Sequence, residues 1–231
     1  MIAVFDTPQL VAEEAAAAIA AHVAAESPTT VALAGGSTPS ATYERLAAMD
    51  IDWNGVTLWL GDERWVAADH PESNIAMARR ALGAGAHRLV APDFGVGDPE
   101  AAAADYARAL TACFAETDAD NRPGLVLLGM GNDGHTASLF PGSEALAERD
   151  RTYVANWVDD KQTWRLTATF PLLWSARKVF FLVTGEGKAE MVRRIVERGE
   201  PLPAQRVAAG ADDVTWFLDA AAASRLRETP L

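Results

Sequence analysis

A short apolar run followed by a glycine-containing loop occurs four times along the chain, in three cases with a helical pattern after the loop. The four runs cover residues 31–33, 56–60, 125–128 and 179–183. They are apolar throughout instead of alternating, which is typical of strands that are buried on both faces. Such strands alternating with helices predict an α/β fold, a three-layer, mainly parallel, Rossmann-like sheet with helices on both faces.

Other segments refine this prediction. Thr7 suits a helix N-cap, and a helix is predicted from there to about Ala25. Its expected buried stripe consists of Leu10, Ala17, Ile19 and Val23. An alternating pattern within residues 152–170 predicts a small β excursion at an edge of the sheet. Because no Pro-, Gly- or Ser-rich linker divides the chain, residues 1–231 are predicted to form a single α/β domain.

Charge and composition exclude several classes of protein. The chain has 231 residues and 32 acidic against 20 basic side chains, a formal net charge of −12. Neither nucleic acid nor a membrane is an expected partner, because the sequence has no run of basic residues for a polyanion and no apolar run of the ~20 residues that span a bilayer. The N-terminus lacks a basic segment, so a cytoplasmic protein is expected. The single cysteine, Cys113, is predicted to be buried and unreactive.

Loops that follow parallel strands meet at one edge of the sheet, where ligands of such sheets bind. After the first run, the backbone and hydroxyl groups of Gly36, Ser37 and Thr38 would bind a phosphate at the start of a helix predicted over residues 39–49. After the fourth run, Lys188 would add a cation there. Taken singly, the first loop also fits an ordinary capped turn, and Lys188 also fits a solvated side chain.

Three charged residues follow the second run directly. Asp62, Glu63 and Arg64 are costly at the end of a buried strand unless they are paired or used. The guanidinium of Arg64 suits a phosphate, although an ion pair at the rim of the sheet is an equally good interpretation of this segment alone.

The loop of residues 129–142 carries the most informative pattern. Its glycines match the dinucleotide motif G-x-G-x-x-G, but Asp133 occupies the turn where a pyrophosphate needs neutral backbone, and Pro141 would end the long helix that this motif opens. Instead, Asp133 and His135 fit a general base oriented by a carboxylate. The sequence has no Ser nucleophile motif and no histidines at metal-ligand spacing, so no metal and no cofactor are expected.

Together these motifs resemble the glucosamine-6-phosphate isomerase/6-phosphogluconolactonase family over about residues 30–207. The run from Gly131 to Gly142 is the most specific part of the resemblance. Isomerases of this family typically have Asp-Glu-Tyr where this chain has Asp-Glu-Arg at residues 62–64. They also carry a Glu five residues after the loop histidine, where this chain has Phe140. Both positions favour the lactonase branch.

The resemblance implies an enzyme, a carboxylic ester hydrolase that converts 6-phospho-D-glucono-1,5-lactone to 6-phospho-D-gluconate in the oxidative pentose phosphate pathway. It implies that His135 activates water and that Asp133 holds the imidazole. The sugar phosphate would be bound by Gly36, Ser37, Thr38, Asp62, Arg64, Asn132, Arg165 and Lys188. A glucosamine-6-phosphate isomerase/deaminase-like enzyme and a non-catalytic sugar-phosphate-binding regulator remain as alternatives, and both a monomer and a small homo-oligomer are open.

Overall fold

The computed structural model of the chain describes residues 1–118 and 120–227. The strands are β1 (Ile2–Phe5), β2 (Thr29–Leu33), β3 (Val56–Leu60), β4 (Asp62–Arg64), β5 (Leu125–Leu128), β6 (Tyr153–Val158), β7 (Thr163–Ala168), β8 (Lys178–Val183) and β9 (Val214–Asp219). The α-helices are α1 (Pro8–Glu26), α2 (Ser37–Ala47), α3 (Asn74–Leu82), α4 (Pro99–Thr117), α5 (Phe170–Ser175), α6 (Ala189–Val196), α7 (Pro203–Gly210) and α8 (Ala220–Ala223).

Six of the strands form a sheet in the order β1-β9-β8-β5-β2-β3, and every neighbouring pair is parallel. The strand order reverses between β2 and β5. After β2 the chain adds β3 on one side of it, and it then adds β5, β8 and β9 on the other side. In open parallel sheets, the carboxyl ends of the strands on either side of such a reversal border a crevice that binds ligands. The parallel α/β fold predicted from the sequence is confirmed.

Apolar cores cover both faces of this sheet. In β5, Leu125 and Leu127 pack into one core with α1, α2 and α3, whereas Val126 and Leu128 pack into the other core with helices α4–α8. Successive strand residues point to opposite faces. A strand covered on both faces therefore needs apolar residues at every position, which explains the uninterrupted apolar runs and gives the three layers.

The remaining strands form a separate antiparallel sheet in the order β4-β7-β6. It packs on α4, where the rings of Tyr106 and Tyr153 meet edge to face with centroids 4.8 Å apart. The β excursion predicted within residues 152–170 is therefore present as the β6–β7 hairpin, but its expected place at an edge of the main sheet was wrong. Only Gly61 separates β3 from β4, so the chain passes directly from one sheet to the other, and residues 62–64 form a strand instead of the expected loop.

The buried carboxylate of Glu63 joins β4 to α3. Its Oε2 accepts hydrogen bonds from Ser73 Oγ (3.0 Å) and from the backbone N–H of Ile75 (2.8 Å), and its Oε1 accepts from the N–H of Asn74 (2.8 Å) and of Arg64 (2.6 Å). Burial raises the pKa of Glu63, and these four donors oppose the rise. The side chain thus caps the first turn of α3. This role explains why a charged residue is found shortly after the buried strand β3.

We expect Glu63→Ala to lower the free energy of unfolding by about 2–4 kcal/mol, because the change leaves buried N–H and O–H donors without an acceptor. Urea titration of the variant and the parent protein measures the difference. Glu14→Ala is the matched control, since Glu14 is exposed on α1, and it should stay within about 0.5 kcal/mol of the parent. Equal stability of the two variants would contradict this role of Glu63.

Two local predictions need correction. In α1, Thr7 is the N-cap as expected, but Leu10 and Ala17 are exposed and the buried face contains Val11, Ala12, Ala15, Ala16, Ile19, His22 and Val23. The faces of an alanine-rich helix differ little in hydropathy, so the sequence pattern does not identify which face is buried. Cys113 is only partly buried, although its burial is enough to raise the pKa of the thiol. Among the described residues, no helix combines the length and apolar character needed to cross a bilayer.

Candidate active site

A cavity of about 430 Å³ lies beyond the carboxyl ends of β2, β5 and β8, where the small sheet faces the main one. Eight of the ten site residues predicted from the sequence line it: Gly36, Ser37, Thr38, Asp62, Arg64, His135, Arg165 and Lys188. Asp133 is not among the lining residues but contacts His135, whereas Asn132 is exposed and does not line the cavity. The structure therefore brings nine of the ten residues to one place.

His135 and Asp133 form a close pair in the loop after β5. Nδ1 of His135 lies 2.6 Å from Oδ1 of Asp133, and the same oxygen accepts a hydrogen bond from the backbone N–H of His135 at 3.1 Å. Burial works to raise the pKa of Asp133, but the N–H groups and the charge of His135 outweigh it and hold this pKa below its usual value. Because an ionised carboxylate only accepts hydrogen bonds, Nδ1 carries a proton, and in the neutral form of the ring Nε2 therefore keeps its lone pair.

Glycines allow this loop to turn so tightly. A Cβ on Gly131 would lie 2.1 Å from Nδ1 of His135, and Gly134 has a positive φ of 83° with Leu202 packed against it. The carbonyl of Gly134 accepts a hydrogen bond from the N–H of Ala204 in the first turn of α7 (3.0 Å). The start of α7 thus supports the loop that carries the histidine.

Phe140 lies against the imidazole. The two ring centroids are 4.2 Å apart with an angle of 34° between the planes. Phe140 also lines the cavity, so one face of His135 is packed against an apolar ring. The position that holds Glu in the isomerase branch therefore supplies a packing surface here and no carboxylate.

The first turn of α2 borders the cavity opposite this loop. Gly36 precedes the helix with a φ of 108°, and the helix begins at Ser37, two residues earlier than predicted. Thr38 Oγ1 lies 2.7 Å from Thr184 Oγ1 and so links this turn to the loop after β8. Free N–H groups and hydroxyls at a helix N-terminus favour an anion.

Two arginines face the cavity side by side from the small sheet. Arg64 on β4 and Arg165 on β7 are direct cross-strand neighbours. Burial and then the positive charge of Arg64 lower the pKa of Arg165. Both Nε atoms are buried, and neither has a hydrogen-bond partner in residues 1–118 and 120–227. Like charges placed together with unused donors indicate a site for an anion.

Asp62 connects the same sheet to the histidine loop. Its Oδ2 accepts a hydrogen bond from Ser138 Oγ (2.7 Å), while the backbone N–H of Ser138 donates to Thr167 Oγ1 (3.1 Å). The side chain of Asn74 donates to the carbonyl of Asp62 (2.8 Å) and also lies directly under Gly35, where a Cβ would come within 2.1 Å of it. Asp62 and Asn74 thus fix the walls of the cavity relative to one another.

Lys188 adds a cation from the other side of the cavity. It lies in the short turn Glu186–Lys188 before α6, and burial lowers its pKa while the charge of Asp133 opposes this. Together, Arg64, Arg165, Lys161 and Lys188 place four cations on the lining, against one carboxylate, that of Asp62. No group of three or more His, Cys, Asp or Glu side chains in the described part of the chain is arranged to hold a metal ion.

Three polar residues of the cavity were not predicted from the sequence. Ser138 lies three residues after His135, and its place in the most specific motif was a usable signal. Thr184 directly follows β8, just before the loop already singled out. Lys161 is one of only three lysines in the chain, but its place on the β6–β7 hairpin gave no sign that it reaches the cavity.

Comparison with known proteins places this site in a family. The family model for glucosamine-6-phosphate isomerases/6-phosphogluconolactonase matches residues 6–216, which include every residue that lines the cavity. The chain belongs to the glucosamine-6-phosphate isomerase/6-phosphogluconolactonase family. This confirms the resemblance found in the sequence.

Relatives within the family include several 6-phosphogluconolactonases. One from Nostoc sp. is 38% identical over 220 residues, covering 85% of this chain and 84% of the relative. One from Homo sapiens is 40% identical over 235 residues, covering 94% and 87%. The solved 6-phosphogluconolactonase of Trypanosoma brucei has a TM-score of 0.84 and 30% identity and covers 98% of both chains.

Proposed function

We propose that the chain hydrolyses 6-phospho-D-glucono-1,5-lactone to 6-phospho-D-gluconate, the lactone step of the oxidative pentose phosphate pathway. The observation that carries this proposal is the His135–Asp133 pair, set in a cavity with four cations on its lining. The relatives of the chain that are named 6-phosphogluconolactonase agree with this proposal. A neutral imidazole whose Nε2 has no partner among the described residues is suited to take a proton from water, and the cations are suited to a phosphorylated substrate.

In this proposal, the substrate phosphate lies between the first turn of α2 and the cations that line the cavity. The backbone of Gly36 and the hydroxyls of Ser37 and Thr38 donate hydrogen bonds, while Lys188 and Arg165 supply positive charge. A phosphate monoester carries a charge of about −1.5 to −2 at neutral pH. Binding at this end leaves the lactone ring near His135, and Asp62 is placed to accept hydrogen bonds from its hydroxyl groups.

Hydrolysis proceeds in two steps. Nε2 of His135 removes a proton from a water molecule as the water oxygen bonds to C1, and the carbonyl electrons move to the carbonyl oxygen. When the carbonyl re-forms, the bond from C1 to the ring oxygen breaks, and the protonated His135 returns its proton to that ring oxygen. The carboxylic acid product then ionises, so each turnover releases one proton to solvent.

The neighbouring side chains support these steps. Asp133 keeps the proton on Nδ1 and stabilises the imidazolium that forms after the first step. Phe140 holds the plane of the ring by packing against it. The positive charge of Arg64 favours the negative charge that develops on the carbonyl oxygen, because this group is fixed in place before the reaction. Neither a metal ion nor a cofactor takes part in this mechanism.

The same proposal covers the organisation of the protein. Residues 1–231 act as one lactonase domain, as a monomer or a small homo-oligomer in the cytoplasm. Its partner is a small sugar phosphate and neither nucleic acid nor a membrane. The net charge of −12 supports this choice, because positive potential is concentrated at the cavity and a polyanion would meet a repulsive surface elsewhere.

Purified protein should accelerate proton release from freshly generated 6-phosphogluconolactone, at a rate proportional to protein concentration and above the spontaneous hydrolysis. A pH-stat or an indicator dye follows the reaction directly. Glucosamine-6-phosphate serves as the control substrate, and we expect no ammonia release from it because Phe140 supplies no carboxylate. Ammonia release without lactone hydrolysis would instead support the isomerase/deaminase alternative, and binding of sugar phosphates without either reaction would support a regulator.

A further inference from the structure

The β6–β7 hairpin brings a lysine to the rim of the cavity. Lys161 lies in the short turn Asp159–Lys161 and lines the cavity together with Arg165. Hydrogen bonds hold this turn, because the backbone and side-chain nitrogens of Gln162 donate to the carbonyl of Asp159 (3.2 and 2.8 Å), and Trp157 Nε1 donates to Asp159 Oδ1 (2.9 Å). The backbone position of Lys161 is therefore fixed by the structure of the hairpin.

Lys161 forms no ion pair with any residue that the structure describes, although its turn is acidic. The other two lysines differ from it. Lys178 pairs with Asp213 at 3.3 Å, and Lys188 is already placed at the substrate phosphate. In a chain with a net charge of −12, an unpaired cation that lines the same cavity as Arg165 suits an anionic ligand.

The order of residues along β7 indicates which end of the ligand Lys161 meets. Thr167 contacts Ser138 of the histidine loop, Arg165 comes next, and Thr163 at the start of β7 is farther away. Strand residues advance by about 3.3 Å each, so Thr163 lies roughly 13 Å along the strand from Thr167. The hairpin tip with Lys161 is beyond Thr163. Lys161 is therefore remote from C1, the carbon attacked by the water that His135 activates.

We propose that Lys161 is a further substrate-binding residue, which reaches from the hairpin tip to the phosphate end of the bound sugar phosphate. This inference rests on the proposed function. A lysine in this place strengthens binding but takes no part in bond making or breaking, so its removal acts on KM and leaves kcat unchanged. Because the side chain is exposed, its contact is weaker than that of a buried cation.

Lys161→Gln should raise KM for 6-phosphogluconolactone by about 3- to 10-fold, the range for a partly solvated charged contact, with kcat within twofold of the parent. The inhibition constant of inorganic phosphate, used as a competitor for the phosphate end, should rise by the same factor. Lys161→Arg should restore most of the binding. Lys178→Gln is the matched control, as it removes the same charge from a lysine outside the cavity.

The readouts separate the possible failures. If KM for Lys161→Gln stays at the value for Lys178→Gln, Lys161 does not bind substrate. If KM rises while the inhibition constant of phosphate is unchanged, Lys161 does not contact the phosphate end, and a fall in kcat at constant KM would also overturn the proposal. If the parent protein itself fails to hydrolyse the lactone, the proposed function is wrong, which is a distinct result.

Discussion

His135→Asn should reduce kcat for lactone hydrolysis by about 100-fold or more, while KM changes little. The change removes Nε2, the atom that takes the proton from water, and general-base catalysis is typically worth about 10²–10⁴-fold. The amide keeps a polar group of similar size next to Asp133 and Phe140, so the loop is disturbed as little as possible. Initial rates of proton release over a range of lactone concentrations give both constants.

The control for this prediction is His87→Asn, since His87 is exposed and does not line the cavity. Its kcat and KM should equal those of the parent. A His135→Asn protein that folds normally and keeps full kcat would remove His135 from the mechanism. A variant with unchanged kcat but a strongly raised KM would place His135 among the binding groups instead.

The parts of the site that could be predicted are local in sequence. Asp133 and His135 are two residues apart, so their contact needs only a tight loop, which the glycines around them indicate. The pattern after the second apolar run predicts a helix from about Asn74 to Leu82, and α3 has these bounds, with Ser73 as its N-cap and Gly83 at its end. Parallel order follows from apolar strands alternating with helices, and it brings the loops to one edge of the sheet.

The parts that could not be predicted depend on pairing between distant segments. Gly61 gave no sign that the chain leaves the main sheet there. The partner of β4, the strand β7, lies about a hundred residues later, and the register of their pairing places Arg165 beside Arg64. Similarly, the hydrogen bond from Ser138 to Asp62 joins residues 76 positions apart. Such contacts depend on how the small sheet packs on α4. The hydrophobic periodicity within β4 or β7 does not encode this packing.

This second sheet gives an acidic protein a cationic site. Arg64 and Arg165 lie on its strands and Lys161 lies in its β6–β7 turn, whereas Lys188 lies in the turn after β8 of the main sheet. The repulsion between the two neighbouring arginines is a cost in the free protein, and the pKa of Arg165 is lowered by burial first and by the charge of Arg64 second. A bound phosphate or a developing oxyanion relieves that repulsion. The two arginines therefore stabilise a negatively charged substrate and a negatively charged transition state.

Arg165→Met should therefore raise KM for 6-phosphogluconolactone by about 10- to 100-fold, with a smaller effect on kcat. A hydrogen bond to a charged group is worth about 1.5–3 kcal/mol, and each 1.4 kcal/mol is tenfold in affinity. Methionine is also a long, flexible side chain, so it fills much of the same space without the charge. Steady-state kinetics and calorimetry with 6-phosphogluconate should give the same factor.

Arg108→Met is the matched control, because Arg108 is exposed on α4 and, among the residues that the structure describes, its ion pair is with Asp105 of the same helix. Both constants should stay at the parent values in this variant. The effect of Arg165→Met should exceed that of Lys161→Gln, since the guanidinium is more deeply buried and its Nε is unpaired. If Arg165→Met left KM and product affinity unchanged, the unused donors of the small sheet would not bind the substrate, and the phosphate would have to be held by α2 and Lys188 alone.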